Sequence, residues 1–279
     1  HCQLLPLQYS QIIPAKFLFV NIYLSIYNKY FGFTSKPPCA IMEGKQHKGG
    51  DEMIIGLAYA LPGEIRSILK TAEARLLETV CGADIYEIEP GLLAYVGGVG
   101  KVNAAMSTQL FIDRYHPDWI VNAGAAGSFL DLPIGTTVLA DCFVQHDVDT
   151  TAMGDPIGLV STVNRVEFPT DEPERLADIL REQGVDFRTG KVATGEAFMV
   201  RGERTNWVAK TFSPALCEME GGAIAQVCLR NGVKFTALKT VSDRLCQENN
   251  ANEYFHYGEA MAKLNGVVAP FARALRDAQ

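Results

Sequence analysis

Leu92-Leu93-Ala94-Tyr95-Val96-Gly97-Gly98-Val99-Gly100-Lys101 decides the fold class. Five apolar residues of strand length end in a glycine-rich turn. An amphipathic segment then runs to about Tyr115, and Pro117-Asp118 opens a second apolar run, Trp119-Ile120-Val121-Asn122. Strands that are apolar throughout, joined by a helix, belong to a sheet covered on both faces. The pattern continues in both directions. Upstream, 53–59 is another apolar run, and Pro62 stands where the first turn of a helix accepts it, with Glu64 close behind. Downstream, 136–145 reads as a strand, 150–170 as loop, 173–183 as a helix and 190–194 as a strand. A small-residue helix from Gly221, a strand from Phe235 and a final helix over about 252–276 complete the series. Gly124-Ala125-Ala126-Gly127 reads as the loop that closes the Trp119 strand. This alternation predicts an α/β layered fold, with glycine-rich turns at strand ends, where such sheets bind ligands.

The bulk numbers set limits. The 279 residues are 48% apolar, enough for a sizeable core, and carry a net charge of −7. That acidity argues against nucleic acid as a partner, since phosphates need a basic face. Seven scattered cysteines show no CxxC or CxxH spacing, which suits reduced thiols in a cytoplasmic protein better than disulfides or zinc. Residues 1–52 differ from the rest, with five lysines against three acids and a dense aromatic stretch. Their longest uncharged apolar piece, 17–28, is shorter than the roughly 20 residues of a membrane helix. Residues 1–52 are therefore expected to be a non-native or disordered extension, with a targeting segment or folded arm as alternatives. One domain is expected over 53–279, with no membrane association.

Two motifs invite a nucleotide or metal reading and fail it. A dinucleotide GxGxxG starting at Gly98 needs glycine at 103, where Asn103 stands. A P-loop ending at Gly100-Lys101 needs glycine at 95 and Ser or Thr at 102, where Tyr95 and Val102 stand. His146-Asp147 with Asp149 lacks a second ligand cluster, so hydrogen bonding within a turn is expected there. No metal and no cofactor is expected.

The chemistry concentrates near the C-terminal end. Glu218-Met219-Glu220 precedes the Gly221 helix, and Ser242-Asp243 ends the apolar run from Phe235. Carboxylates converging in a water-poor cleft suit the removal of a base from a sugar, one gripping hydroxyls and another passing a proton to the departing ring. Taken singly, each has a plainer reading: acids favour helix starts, and an aspartate can cap one. Glu64, Phe198, Glu220 and Asp243 nevertheless all fall at or beside a predicted strand end.

These motifs, with Thr194-Gly195-Glu196-Ala197-Phe198 and those already quoted, occur in an order that resembles the bacterial 5′-methylthioadenosine/S-adenosylhomocysteine nucleosidases of the nucleoside phosphorylase and hydrolase superfamily. The resemblance covers about 53–276. It implies a three-layer αβα sandwich around a central mixed, twisted sheet, and a homodimer. It also implies hydrolysis of the N-glycosidic bond of methylthioadenosine and S-adenosylhomocysteine, with 5′-deoxyadenosine as a further candidate. Asp243 would protonate purine N7, and Ser242 could orient it. Phe198 would stack on the base, whose edge the Met199 backbone would read. Met219 would pack on the ribose, Glu220 would accept from its hydroxyls, and Glu64 would deprotonate the attacking water. Lys239 stands where the family usually has arginine, near that water, and Glu218 would support the same network. Residues 124–127, with Ala125 where the family often has serine and Gly127 closing the stretch, would border the sugar. Tyr254 and Phe255 are unplaced candidates for the 5′ tail. The acid Asp243 needs a pKa well above its free value of about 3.9, and the base Glu64 is expected to do the opposite and stay ionised enough to accept a proton from water. A superfamily phosphorylase would carry a Gly-Asp-Pro-x-x-Arg turn after the first strand. Leu61-Pro62-Gly63-Glu64 stands there instead, and a carboxylate repels phosphate. A futalosine-type nucleosidase, a purine nucleoside phosphorylase and a catalytically silent nucleoside binder remain the alternatives.

Overall fold

The computed structural model describes residues 53–245 and 257–278. The extension at 1–52, Tyr254, Phe255 and the expected start of the last helix lie outside them. The chain runs β1 (Ile55–Tyr59), α1 (Pro62–Thr71), β2 (Arg75–Val80), β3 (Ala83–Glu89), β4 (Leu92–Val96), α2 (Lys101–Tyr115), β5 (Trp119–Ser128) and β6 (Thr137–Gln145). It continues through a short 3₁₀ turn (Thr151–Met153), β7 (Glu167–Pro169), α3 (Pro173–Glu182), β8 (Phe187–Thr194), α4 (Glu203–Phe212), β9 (Leu216–Glu218), α5 (Gly221–Asn231), β10 (Lys234–Arg244) and α6 (Tyr257–Asp277).

β1 and β4 are buried at every position, as uninterrupted apolar strands require. β1 lies between β4 and β5 and parallel to both. Its alternate side chains part to the two faces. Ile55, Leu57 and Tyr59 join Ile65 of α1, Leu176 of α3 and Leu264 of α6 in one core. Ala58 joins Phe111 of α2 and Ile224 of α5 in the other. Two helical layers therefore sandwich the sheet. A third cluster, with Val144, Met199, Val208 and Leu245, seats α4.

The strand order is β2-β3-β4-β1-β5-β10-β6-β8-β9, with β7 beside β6. β9 then folds back on β5, pairing Gly127 with Cys217 and Ser128 with Leu216. The half of the sheet beyond β5 thus closes on itself, which brings the ends of β8 and β9 to those of β5 and β10.

One expectation is corrected. Residues 124–127 are not a loop: β5 runs unbroken to Ser128, with Gly124, Ala125 and Ala126 opposite Lys239, Thr240 and Val241 of β10. The small residues leave room for neighbouring side chains and do not turn the chain. The β2–β3 hairpin, α4 and β9 had no place in the sequence reading. β2 and β3 mix charged with apolar residues and are half-exposed, and β9 has only three residues. Among the described residues no helix is long and apolar enough to cross a membrane.

Helix α2 sits close on β1 because Gly56 has no side chain. A Cβ there would lie 2.4 Å from the Phe111 ring and 2.8 Å from Ile120. Gly56→Val should therefore cost about 1–3 kcal/mol of stability by overpacking. Urea unfolding would check it, an unchanged midpoint being the contrary result.

Candidate active site

A single cleft opens where β1, β5, β8, β9 and β10 reach their carboxyl ends. Glu64, Ala125, Gly127, Phe198, Met199, Glu218, Met219, Glu220, Ser242 and Asp243 all line it. Lys239 does not: it lies buried behind the cleft wall. Sequence reasoning missed Val99, Cys217 and Tyr257, which also line the cleft. Only for Val99 was there a signal, its place in a glycine turn after a strand.

Glu64 sits in the first turn of α1. Pro62 begins that helix, and the Glu64 carboxylate accepts the N–H groups of Ala60 (2.9 Å) and Leu61 (3.0 Å), capping it. Its other oxygen faces the Ala125 N–H at 3.4 Å. The floor of β5 is shaped to this carboxylate, since a Cβ on Gly124 would come within 3.0 Å of Glu64 Oε1. Arg66 lies exposed on α1 while Glu64 is buried.

Asp243 is aimed by an irregularity in β10. Val241 pairs with Ala126 and Asp243 with Gly127, so Ser242 is the extra residue of a bulge. Gly127 again leaves space, its missing Cβ falling 2.9 Å from Asp243 Oδ2. The Ser242 hydroxyl is 2.8 Å from Asp243 Oδ1 and 3.2 Å from the Ala126 carbonyl. A hydroxyl has one proton, and the carbonyl can only accept. When Asp243 carries a proton, Ser242 can donate to Ala126 and accept from Asp243.

The acids at 218 and 220 have different surroundings. Glu218 is buried and paired with Lys239 Nζ at 2.9 Å, and it accepts the Gly221 N–H at 2.7 Å and the Thr194 hydroxyl. Glu220 forms the N-cap of α5, and its carboxylate accepts the Gly100 N–H at 2.8 Å. Glu218 is thus a support and Glu220 faces the cleft.

Burial acts on all of these groups. It pushes Asp243 up, opposed only by the Ser242 hydrogen bond. Glu64 is also pushed up by burial, although the Leu61 N–H, Lys239 and the Ala60 and Ala125 N–H groups pull it back. At Glu64 desolvation outweighs its donors. A raised carboxylate is the better base, because its proton affinity lies nearer the working pH. Glu220 is pushed up to about 7 by burial and by the Glu218 charge. For Glu218, burial is outweighed by Lys239 and the Thr194 and Gly221 donors, and its carboxyl is held below the ordinary value.

In the stretch 146–149, Asp149 bonds locally as expected, whereas Asp147 bonds across the fold to residues 46 and 49 positions away. Asp147 accepts from Lys101 Nζ and the Glu196 N–H, and Asp149 from Thr151. Among the described residues no three His, Cys, Asp or Glu side chains are grouped to hold a metal ion.

A deep cleft at strand ends, walled by carboxylates of unequal proton affinity, fits a class of proteins that act on a glycosidic bond. The chain belongs to the phosphorylase superfamily, whose family model matches residues 55–273. It is 32% identical over 201 residues to the 5′-methylthioadenosine/S-adenosylhomocysteine nucleosidase of Shewanella loihica, covering 68% of this chain and 86% of that one. It is 40% identical over 163 residues to that of Geobacillus thermodenitrificans, covering 56% and 67%. Within the superfamily it falls in this nucleosidase family. Among solved structures, the Streptococcus pyogenes S-adenosylhomocysteine nucleosidase in complex with 5-methylthiotubericidin has a TM-score of 0.72 at 27% identity, covering 81% of this chain and 99% of that one. The futalosine hydrolase of Helicobacter pylori has a TM-score of 0.72 at 25% identity, covering 79% and 97%.

Two tests follow from the charges. Lys239→Met leaves Glu218 buried without its cation and should cost about 3–5 kcal/mol in chemical unfolding. A loss under about 1 kcal/mol would mean that the pair is not a support. The second concerns Glu220, whose folded pKa of about 7 lies above its ordinary 4.5. The fold favours its protonated form, so this contribution is complete below pH 4.5 and is lost as pH rises through 7. Unliganded Glu220→Gln should lack that part of the slope and exceed the parent by about 3 kcal/mol at pH 8. Parallel stability curves for the two proteins would contradict the shift.

Proposed function

We propose that this protein hydrolyses the N-glycosidic bond of 5′-modified adenosines, releasing adenine and the 5′-substituted ribose. Methylthioadenosine and S-adenosylhomocysteine are the leading substrates, and 5′-deoxyadenosine is a third. One observation carries the reading: Asp243 and Glu64 line the same cleft, with Glu220 between the two functions. Asp243 gives its proton to purine N7. The bond from C1′ to N9 breaks, and its electron pair leaves with a neutral adenine. Glu220 accepts from the ribose hydroxyls, and binding draws it to its ionised form. Water attacks C1′ and passes its proton to Glu64. Solvent exchange then returns a proton to Asp243. Phe198 stacks on the base, the Met199 backbone meets its edge, and Met219 packs on the sugar. Ala125 and Gly127 border the ribose through backbone alone.

Water is favoured over phosphate as acceptor because Glu64 holds the turn after β1 while Arg66 is exposed on the helix. The intact set of Glu64, Glu220 and Asp243 argues against a silent binder. We read 53–279 as one domain. A homodimer is supported by exposed apolar residues around the start of α2, with Val99 in the turn before it and Val102 and Met106 on the helix four apart. A cytoplasmic location is supported by the unpaired Cys81, Cys142, Cys217 and Cys228.

The test is incubation with methylthioadenosine, S-adenosylhomocysteine, futalosine and inosine, each with and without phosphate. Adenine should appear from the first two without phosphate. Strict phosphate dependence would make the protein a phosphorylase, and preferred cleavage of futalosine would give the other hydrolase. Asp243→Asn should lower kcat by about 10²–10⁴-fold while methylthioadenosine still binds. Near-normal turnover would remove Asp243 from the acid role.

A further inference from the structure

Two motifs remain without a role in this reading: the glycine turn ending in Lys101, and Asp147. In the folded chain they meet. The Lys101 ammonium lies 2.6 Å from Asp147 Oδ1 and 3.3 Å from Gln145 Oε1. Asp147 Oδ2 accepts the backbone N–H of Glu196 at 2.9 Å. Glu196 Oε1 in turn accepts the backbone N–H of Lys101 at 2.8 Å. The three residues therefore close a ring of hydrogen bonds. It joins the start of α2, the end of β6 and the segment that follows β8.

Both flanks of the cleft hang on this ring. On one side, the peptide next to Lys101 N–H is that of Gly100, whose N–H donates to Glu220. On the other, Glu196 is followed directly by Ala197, Phe198 and Met199, all of which line the cleft. Gly100 has a φ of +94°, a conformation that side chains oppose, and a Cβ on it would lie 2.6 Å from Glu196 Oε2. The turn is thus shaped to bring two successive N–H groups to two carboxylates, Glu220 and Glu196, at the positive end of α2. Lys101 and Asp147 are mostly buried, with side chains 18% and 16% exposed, so water screens their attraction weakly. Burial alone would raise the Asp147 carboxyl, but Lys101 and the Glu196 N–H outweigh it and keep it below its ordinary value.

We propose that Lys101, Asp147 and Glu196 form a clasp of positioning residues that sets Glu220 against the ribose and fixes the Phe198–Met199 segment across from it. The clasp rests on the sugar-binding role of Glu220 given above. It touches no reacting atom. Its effect is on how well the sugar is held, so its loss should raise KM more than it lowers kcat.

The experiment compares Asp147→Asn, Lys101→Met, the double variant and Lys101→Arg. KM for methylthioadenosine should rise about tenfold in each of the first two, with kcat within about threefold. The double variant should be no worse than either single one, and Lys101→Arg should restore most of the loss. The penalty for a 2′-deoxy substrate should also shrink by a similar factor, because the clasp works through the carboxylate that holds that hydroxyl. A purely structural role would weaken both substrates equally, and that result, or additive losses, would overturn the clasp. Amide hydrogen exchange separates this proposal from the assigned reaction. Asp147→Asn should speed exchange at Gly100, Lys101 and Glu196 together and leave β1 unchanged. If the parent protein cleaves no nucleoside, the reaction is wrong while this result still supports the clasp. Unaltered exchange at those three amides would refute the clasp itself.

Discussion

The site depends on one lysine shared among three carboxylates, two of them buried and the third, Glu220, partly so. Lys239 is paired with Glu218 and also acts at longer range on Glu64 and Glu220. Two charges taken out of water together cost several kcal/mol, recovered only where each finds further partners. Glu218 does so through Thr194 and Gly221. The lysine is held in place by the sheet: it pairs across β10 with Gly124 of β5 on one side and Val138 of β6 on the other. A side chain at 124 would crowd Glu64, its Cβ lying 3.0 Å from the carboxylate, and would touch the Lys239 ammonium at an ordinary 3.7 Å. The small residues of β5 are therefore an electrostatic requirement as much as a packing one.

That explains what the sequence made legible and what it hid. Strands such as β1 and β4 announce themselves because both faces are covered and every residue is apolar. The carboxylates announce themselves because acids beside apolar runs are costly unless used. The run 124–127 misleads because glycine and alanine serve two ends. They permit turns, and they also clear space beneath a neighbour's side chain, which depends on a strand more than a hundred residues away. β9 is hidden for a related reason. Three residues carry no periodicity, and its pairing with β5 exists only once the sheet has closed. Cys217 and Tyr257 reach the cleft by that same long-range geometry, so nothing local marks them.

Asp243 and Glu64 are set apart by their company more than by depth. Burial raises both Asp243 and Glu64. Glu64 then has three backbone N–H groups and a nearby ammonium, all of which favour its charged form. Asp243 has a single hydroxyl, and that hydroxyl can serve as donor or acceptor. Desolvation thus raises both proton affinities; three backbone N–H groups and Lys239 oppose the rise at Glu64, and the Ser242 hydroxyl alone opposes it at Asp243. A carboxylate pair arranged this way can run acid and base chemistry together without a metal contributing charge.

The same count of charges bears on the choice of nucleophile. With Lys239 matched to Glu218, Glu64 and Glu220 have no further cation beside them in the cleft wall among the described residues. An incoming phosphate dianion would meet two acids whose proton affinities burial has already raised, that of Glu220 further by the charges of Glu218 and Glu64. A neutral water molecule meets no such barrier, and its proton has a ready acceptor. The ribose hydroxyls are likewise neutral donors, and ionised Glu220 needs donors to replace lost water. An acid-rich cleft with one internal cation is therefore suited to substrates that bring hydrogen-bond donors and to an acceptor that brings no charge.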